Sequence, residues 1–151
     1  KLLTERLIAS IVAQNHKYIS VRFGNVIGSN GSFLSTFRQQ IESGKAITIT
    51  HPQITRYFMT IGEAVHLVLQ SLIVGECGET LILEMGAPVS INKVATRMIK
   101  NSGKEIPIKY VGLRSGEKLS EKLVGSAEKV SKGPHKDIMH TRVEPLNEGD
   151  L

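Results

Sequence analysis

The sequence predicts an α/β fold in which helices alternate with short strands. Three observations support this prediction. Apolar residues recur at helical spacing in several segments, apolar and polar residues alternate in the short segments between them, and a glycine-rich segment joins a strand to a helix. With 151 residues, of which 40% are hydrophobic and 22% charged, the chain has the size and composition of one ordinary globular domain. Disordered, collagen-like and coiled-coil proteins are therefore excluded.

The first part of the chain alternates helix and strand. Ser32 is a candidate N-cap of the second helix, and Gly44 is its predicted end. The predicted elements are a helix from the first residues to about Asn15, a strand over residues 18–23, a loop over residues 24–32, a helix from residue 33 to Gly44, a strand over residues 47–50 and an extended segment over residues 56–59.

The second part continues the alternation. Thr60 and Glu63 have the spacing of a capping box, in which a hydroxyl and a carboxylate each bind an otherwise unpaired backbone N–H. Residues 125–151 are polar and lack periodicity, which indicates an extended or mobile tail. The predicted elements before this tail are a helix over residues 61–74, a strand over residues 80–85, a helix over residues 91–100, a strand over residues 106–111 and a helix over residues 117–124.

Cysteine content and hydropathy exclude two classes of protein. The single cysteine, Cys77, excludes an intramolecular disulfide framework and a cysteine-based zinc site, so a reducing compartment is expected. The most apolar stretch, residues 57–74, is interrupted by Glu63, His66 and Gln70, and it is short for a span of about 20 apolar residues. We therefore predict no membrane-crossing segment within these 151 residues.

The charge is unevenly distributed along the chain. Residues 1–75 hold seven lysines and arginines against three glutamates, so this half carries a formal charge of +4, and the first aspartate of the chain is Asp137. A basic segment with few acids suits an anionic ligand. The chain begins with Lys1 and not with methionine, and its first residues already have helical spacing. We therefore expect it to be part of a longer protein.

The glycine-rich segment over residues 24–32 is a candidate phosphate-binding loop. It lies between a predicted strand and a predicted helix, where backbone N–H groups and the side chains of Asn25, Ser29 and Ser32 can face an anion. Its glycine spacing matches neither the dinucleotide-binding fingerprint nor the Walker A loop. An ordinary glycine-rich turn explains the segment equally well.

Two arginines are candidate ligands for a diphosphate. Arg56 lies among apolar residues of an extended segment, and Arg114 lies between a predicted strand and a predicted helix. A guanidinium group binds phosphate oxygens bidentately, so two such groups on different segments could hold a diphosphate between them. Taken singly, each arginine is better explained by a surface ion pair, and only the two together with the glycine-rich segment favour a diphosphate.

Several other functions receive no support from the sequence. Among the five histidines only His135 and His140 are close in sequence, and they lack further ligands, so no metal site is predicted. Serine, histidine and aspartate are not arranged as a nucleophilic triad. Seven aromatic residues and the lack of a basic run leave no stacking surface for nucleic acid. Metal-dependent, hydrolytic and nucleic-acid-binding functions are therefore not expected.

Three separated motifs resemble one enzyme family. These motifs are VRFGNVIGS at residues 21–29, ITRYFMTI followed by Glu63 and Ala64 at residues 54–64, and GLRSGEKL at residues 112–119. They occur in the order and approximate spacing of the nucleotide-sugar 4,6-dehydratases. These are the CapD-type polysaccharide biosynthesis proteins, a branch of the extended short-chain dehydrogenase/reductases. The resemblance is strong over about residues 1–125 and looser as far as Arg142.

The resemblance implies a role for several residues. Lys1 would be the lysine of the family's Y/M-x-x-x-K motif, which binds the nicotinamide ribose and favours the deprotonated form of neighbouring acid/base groups. Phe23, Asn25 and Val26 would lie beside the nicotinamide, with Asn25 reaching the sugar nucleotide. The remaining implied contacts are to the uridine diphosphate: Thr48 and Thr50 along the uracil or ribose, Arg56 and Arg114 on the diphosphate, and Glu117 on the ribose hydroxyls.

The resemblance also implies a reaction and leaves alternatives open. The family oxidises C4 of UDP-N-acetylglucosamine, removes water across C5 and C6 and returns the hydride to C6, and a bound NAD(P) supplies the redox chemistry. A nucleotide-sugar 4-epimerase uses the same fold, cofactor and diphosphate contacts and differs in upstream residues. A non-catalytic sugar-nucleotide-binding module is a third possibility. The resemblance gives neither the C5 stereochemistry nor the choice between NAD and NADP.

The implied organisation divides the chain into three parts. Residues 1–45 would be the end of the Rossmann-like domain, residues 46–125 the small sugar-nucleotide-binding region, and residues 126–151 an extended or mobile tail. NAD(P) would be bound mainly by an upstream half, without which this part is expected to be inactive. The resemblance further implies a homo-oligomer in the cytoplasm, or on the cytoplasmic face of the inner membrane if upstream helices anchor the whole protein.

Overall fold

Helices form where apolar residues recur at helical spacing. A computed structural model describes residues 2–11, 16–29 and 32–147. Ser90 caps the fourth helix by accepting a hydrogen bond from the Lys93 N–H (3.3 Å), and Gly103 ends it in the left-handed conformation with φ of 67°. The helices are α1 (Leu2–Ser10), α2 (Phe33–Glu42), α3 (Ile61–Val74) and α4 (Ile91–Ser102).

The described residues form two compact units from discontinuous segments. Unit 1 consists of Lys1–Phe23, Gly62–Glu84 and Lys122–Leu151, and unit 2 consists of Gly24–Ile61 and Met85–Glu121. The strands are short, and their bounds are β1 (Ser20–Arg22), β2 (Asn25–Ile27), β3 (Ile47–Ile49), β4 (Thr55–Arg56), β5 (Phe58–Thr60), β6 (Thr80–Leu83), β7 (Val89–Ser90), β8 (Ile108–Tyr110), β9 (Val130–Lys132) and β10 (Ile138–Thr141).

Unit 1 contains a four-stranded mixed sheet in the order β1-β6-β10-β9. The strand β6 lies inside it, parallel to β1 and antiparallel to β10, and all four of its residues are buried. Its continuous apolar run, Leu81 to Leu83, is typical of a strand covered on both faces. The register places Val21 opposite Leu81 and Ile138 opposite Leu83.

Unit 2 is organised around one apolar core. Its strands form three pairs among the described residues: β2 with β5 and β3 with β8 are parallel, and β4 with β7 is antiparallel. Helices α2 and α4 contribute to the core together with β3. The buried residues of this core are Phe37, Ile41, Ile47, Ile49, Ile54, Ile91 and Ala95.

The structure corrects the loop predicted over residues 24–32. The strand β2 forms within it and pairs with β5, so that Asn25 lies opposite Phe58. The pairing is possible because Gly24 lies against the Tyr57 backbone, where its Cα approaches more closely than a residue with a Cβ could. Because glycines at positions 24 and 28 flank this three-residue strand, the sequence indicated a loop there.

The predicted helix over residues 117–124 is wrong. This segment contains bends and no helix. The reason is that other groups bind the carbonyls a helix would use: the Arg56 guanidinium donates to the oxygens of Lys118 (3.0 Å) and Leu119 (3.3 Å), and the Thr55 N–H donates to Leu119 (2.9 Å). Contacts distant in sequence therefore outweigh the local helical spacing.

The segment after residue 125 contains two strands where an extended or mobile tail was expected. The strands β9 and β10 pair with each other, and β10 also pairs with β6. Ile138 and His140 are buried, so this polar segment still contributes to a core. Within the described residues, no helix combines the length and apolarity needed to cross a lipid bilayer.

Candidate functional site

The carboxylate of Glu117 is the centre of a polar cluster in unit 2. Its Oε1 accepts hydrogen bonds from the Thr50 hydroxyl (3.0 Å) and from Nη2 of Arg56 (3.2 Å), and its Oε2 accepts from the Arg114 backbone N–H (3.1 Å). We call Thr50, Arg56, Arg114 and Glu117 the Glu117 cluster. It brings together four residues that the sequence analysis assigned to one site.

Three separate segments position the members of this cluster. Thr50 follows β3 directly, and Arg56 lies in β4, where it is opposite Val89 of β7. Arg114 and Glu117 belong to one turn, which the Glu117 N–H closes by donating to the Arg114 carbonyl (3.0 Å). Gly116 within this turn has a φ of 78°, a conformation that glycine adopts without strain.

The Arg56 guanidinium is held by several groups at once. Its Nη1 donates to the Thr55 carbonyl (2.7 Å) in addition to the carbonyls described above, and its Nε lies 3.6 Å from Oε1 of Glu121. Only 13% of the side chain is exposed. Buried guanidinium groups need such partners because an unpaired charge is costly to desolvate. The predicted contact of Arg56 with a diphosphate remains a prediction.

Arg114 differs from Arg56 in that its guanidinium is available to bind a ligand. Its side chain is exposed, and it has neither a hydrogen bond nor an ion pair with another described residue. Its backbone is nevertheless fixed by Glu117. The Glu117 cluster therefore combines hydrogen-bond-accepting oxygens with an exposed guanidinium on a fixed turn, a combination suited to a hydroxylated ligand that also carries phosphate.

Thr48 is hydrogen-bonded to a residue that the sequence analysis did not identify. Gln40 of α2 donates from Nε2 to the Thr48 hydroxyl (2.9 Å), and its Oε1 accepts from the Thr48 N–H (3.2 Å). Thr48 therefore bonds to α2, whereas Thr50 bonds to Glu117. An isolated glutamine near a helix end carries no sequence pattern that predicts such a pair of bonds.

The segment assigned to the cofactor is described from Phe23 onward. The Phe23 ring is 42% exposed, and the Asn25 side-chain amide has no hydrogen bond within the described residues. Val26 is half-buried and lies opposite Met59. Lys1, the predicted catalytic lysine, lies outside the described residues.

Arg22 forms a second polar cluster, in unit 1, that the sequence analysis missed. It pairs bidentately with Glu5 (2.9 and 2.6 Å) and with Glu128 (2.6 and 2.8 Å), and Nη1 also donates to the Leu123 carbonyl (2.9 Å). Hydrogen bonds to Glu128 and Glu5 raise the pKa of Arg22 above its ordinary value. The bond from Arg22 lowers the pKa of Glu128, assisted by the Gly125 N–H. We call Arg22, Glu5 and Glu128 the Arg22 clamp.

The Glu128 carboxylate makes the free energy of unfolding depend on pH. Its pKa is below the ordinary value of 4.5 in the folded state, so it contributes stability above pH 4.5 that is lost as the pH falls through the folded pKa. We expect Glu128→Gln to reduce the acid dependence of the unfolding free energy, measured by urea titrations from about pH 3 to about pH 7. Glu105→Gln is the control, because Glu105 is exposed and has no hydrogen-bond partner among the described residues. Equal acid dependence in wild type and Glu128→Gln would refute this.

Sequence comparisons identify relatives of the chain. A family described as "Polysaccharide biosynthesis protein" matches residues 1–143. The capsular polysaccharide biosynthesis protein CapD of Staphylococcus aureus is 47% identical over 133 residues, which cover 85% of this chain and 22% of CapD. A UDP-glucose 4-epimerase of Rickettsia canadensis is 35% identical over 133 residues, which cover 85% of this chain and 38% of the epimerase.

Solved structures share the fold. The X-ray structure of Pen from Bacillus thuringiensis superposes with a TM-score of 0.83 at 36% identity, covering 94% of this chain and 46% of Pen. The UDP-glucose 4-epimerase of Thermus thermophilus in complex with NAD gives a TM-score of 0.56 at 18% identity, covering 69% of this chain and 37% of the epimerase, a likeness of fold alone. The chain thus spans about a fifth of CapD and less than half of Pen.

Proposed function

The chain belongs to the polysaccharide biosynthesis protein family, and from this premise we propose that the whole protein is a UDP-N-acetylglucosamine 4,6-dehydratase. Its fold is that of the extended short-chain dehydrogenase/reductases, as the resemblance predicted. Its relatives include a capsular polysaccharide biosynthesis protein and a UDP-glucose 4-epimerase, which support a nucleotide-sugar-modifying enzyme. The proposed product is a UDP-4-keto-6-deoxy sugar for surface polysaccharide synthesis.

The observation that carries this proposal is the Glu117 cluster. A carboxylate accepts hydrogen bonds from the vicinal hydroxyls of a ribose, and an exposed guanidinium binds phosphate oxygens. Uridine diphosphate presents a ribose and then a diphosphate in succession, and the turn that holds Glu117 also holds Arg114. We therefore assign Glu117 and Thr50 to the ribose side and Arg114 to the diphosphate.

Arg56 is assigned to the diphosphate together with Arg114. Its ion pair with Glu121 is long at 3.6 Å, and 43% of the Glu121 side chain is exposed. Such a long ion pair, with one partner exposed, is readily replaced by a phosphate oxygen. The bonds from Arg56 to Glu117 and to the carbonyls of the turn can persist during this exchange, so the guanidinium would both support the turn and meet the ligand.

NAD(P), when bound, supplies hydride acceptance and return. On this chain Phe23, Asn25 and Val26 would hold its nicotinamide end, and Lys1 would hold the ribose hydroxyls. The positive charge of Lys1 would also favour the deprotonated form of a neighbouring acid/base group. In this proposal residues 1–45 contribute to the cofactor side and residues 46–125 bind the sugar nucleotide.

A 4-epimerase is the second candidate function. It is favoured by the 35% identity to a UDP-glucose 4-epimerase over 133 residues. Both reactions begin with oxidation at C4 and need the same ribose and diphosphate contacts. The Glu117 cluster is therefore compatible with either enzyme. The two are distinguished by whether C6 of the sugar becomes a methyl group or stays intact.

The test is an NMR time course of the whole protein with UDP-N-acetylglucosamine, following the protons on C6. Appearance of a 6-methyl signal with a 4-keto or hydrated C4 establishes the dehydratase. Formation of the N-acetylgalactosamine epimer with C6 intact establishes the epimerase instead. An unchanged spectrum, with uridine diphosphate still bound, would refute both activities for this substrate and favour a binding module.

A further inference from the structure

Only one edge of β3 is paired within the part of the chain that the structure describes, and its partner is β8. The Ile47 N–H donates to the Pro107 carbonyl (2.9 Å). The Ile49 carbonyl accepts from the Val111 N–H (3.0 Å). Because successive residues of a strand direct their backbone groups to opposite edges, the N–H of Thr48 faces the other edge. The strand β8 therefore leaves this N–H without a partner, and a backbone donor needs one.

The side-chain amide of Gln40 supplies that partner. Its Oε1 accepts from the Thr48 N–H (3.2 Å), and its Nε2 donates to the Thr48 hydroxyl (2.9 Å). Both bonds lie near the surface, since Thr48 is exposed and Gln40 is only half-buried. Hydrogen bonds between neutral groups contribute little net free energy where water can replace either partner. The Gln40 amide is therefore a partner that another group of the same chemistry can displace.

The two bonds of Gln40 have the donor and acceptor pattern of one edge of uracil. A carboxamide presents a carbonyl oxygen beside an N–H group. The imide of uracil presents the same pair, a ring carbonyl beside N3–H. A uracil in the place of the amide would accept from the Thr48 N–H through that carbonyl and would donate from N3–H to the Thr48 hydroxyl. The base would then make the same two bonds that Gln40 makes.

The order of groups along β3 places a base beside Thr48. The proposed function assigns the diphosphate to Arg114 and the ribose to Glu117 and Thr50. The strands β3 and β8 are parallel, and the turn that holds Arg114 follows β8, so this turn lies at the end of the sheet where Thr50 follows β3. Thr48 is two residues back from Thr50, about 6.6 Å along the strand. A base leaves the ribose on the side away from the diphosphate, which here is the side of Thr48.

We propose that the Gln40 amide and a bound uracil are alternative partners of Thr48, so that the base displaces Gln40 and Thr48 recognises uracil through the two bonds that the amide otherwise makes. This inference rests on the proposed function, because the place of the ribose fixes the place of the base. All of the residues involved belong to unit 2. The exchange favours a base that carries a carbonyl beside a ring N–H, and it requires that N3 carry a hydrogen.

The test is isothermal titration of the whole protein and its Gln40→Ala variant with uridine diphosphate. Removing a group that competes with the base strengthens binding, because the ligand no longer has to break the bonds between Gln40 and Thr48. We expect the dissociation constant to fall about fivefold, within the roughly 2- to 12-fold that corresponds to one neutral hydrogen bond. Gln40→Met keeps the length and the helix propensity of glutamine without its amide, so it should act in the same direction.

A neighbouring residue and a modified ligand are the controls. Gln39→Ala makes the same substitution one residue earlier on α2, where the side chain is exposed and has no hydrogen bond with a described residue. It should leave the dissociation constant within about twofold, as expected for a surface substitution. The diphosphate of 3-methyluridine has a methyl group in place of the N3 hydrogen. It should bind wild type more weakly than uridine diphosphate does, and it should gain nothing from Gln40→Ala.

The results separate this inference from the proposed function. An unchanged dissociation constant in Gln40→Ala overturns the inference. A raised one also does, since it would show that Gln40 orients Thr48 for the ligand and does not compete with it. A gain of equal size in Gln39→Ala, or for the 3-methyluridine ligand, overturns it as well. All three results require a wild type that binds uridine diphosphate. A wild type that does not bind this nucleotide refutes the proposed function, and the inference with it.

Discussion

Arg114→Ala is expected to raise the dissociation constant for uridine diphosphate about 30-fold. The guanidinium is exposed and has no partner among the described residues, so its removal leaves no buried charge behind and should not disturb the fold. A charge-assisted hydrogen bond to phosphate contributes about 1.5–3 kcal/mol, which corresponds to roughly 10- to 150-fold in affinity. The measurement is isothermal titration of the whole protein with uridine diphosphate.

Two controls make this result specific. Lys118→Ala removes another cation close to Arg114 in sequence, and we expect it to change the affinity less than about threefold, as for a solvated surface charge. Uridine, which carries no phosphate, should bind wild type and Arg114→Ala with the same affinity. An equal loss for Lys118→Ala would indicate general attraction by positive charge and would remove the assignment of Arg114 to the diphosphate.

Gly24→Ala is expected to lower the free energy of unfolding by about 2–3 kcal/mol, in the upper part of the range of about 1–3 kcal/mol for forcing extra atoms into a packed site. A Cβ at this position would lie 2.7 Å from the Tyr57 carbonyl oxygen and 3.0 Å from the sulfur of Met85. The Tyr57 oxygen is also the acceptor for the Asn25 N–H (2.9 Å), so the clash and the pairing of β2 with β5 involve the same atom. Relief of the clash therefore requires β2 to separate from β5.

Gly62→Ala is the matched control for this substitution. Gly62 lies in the first turn of α3, and a Cβ there meets no atom within 4 Å. Alanine is favoured over glycine in helices, so this variant should be as stable as wild type or up to about 1 kcal/mol more stable. Both variants are compared by urea unfolding of the whole protein. A Gly24→Ala protein as stable as wild type would show that β2 and β5 adjust without cost.

Local signals were sufficient to predict two of the helices closely. The helix predicted over residues 91–100 is observed over Ile91–Ser102. Ser90 caps its first turn and Gly103 ends it in the left-handed conformation. The helix predicted over residues 61–74 is observed with the same bounds. In both cases the apolar spacing and the end signals lie within a few residues of each other, so no distant contact is needed to interpret them.

Distant contacts explain the errors. The strand β2 depends on β5, which lies more than 30 residues further along the chain, and the three residues of β2 are too few to show alternation. The segment over residues 117–124 has helical spacing, but Arg56 and Thr55 bind its carbonyls from another strand. These bonds are not apparent from the sequence, because Arg56 and Thr55 lie about 60 residues before the carbonyls they bind.

The sequence indicated which residues belong to the candidate site, but it did not indicate which groups those residues bond to. Arginine and glutamate within recognisable motifs indicated Arg56, Arg114 and Glu117, and the structure brings them together with Thr50. The bonds of Gln40 to Thr48 and of Arg22 to two glutamates were not predicted. A polar residue such as Arg22 in an alternating strand is ordinarily expected to face solvent, so its two carboxylate partners gave no signal in the sequence.

The order of strands in unit 1 has a consequence for synthesis of the protein on the ribosome. The apolar strand β6 is complete at Leu83, but its partner β10 begins at Ile138, 55 residues later. At roughly 5–20 residues per second, the ribosome needs about 3–11 s to deliver β10 after β6 has been made. During that interval one hydrogen-bonding edge of a buried strand is open, and such an edge can pair with another nascent chain. Chains truncated between these two strands should therefore aggregate, because they lack the strand β10 that covers the open edge of β6.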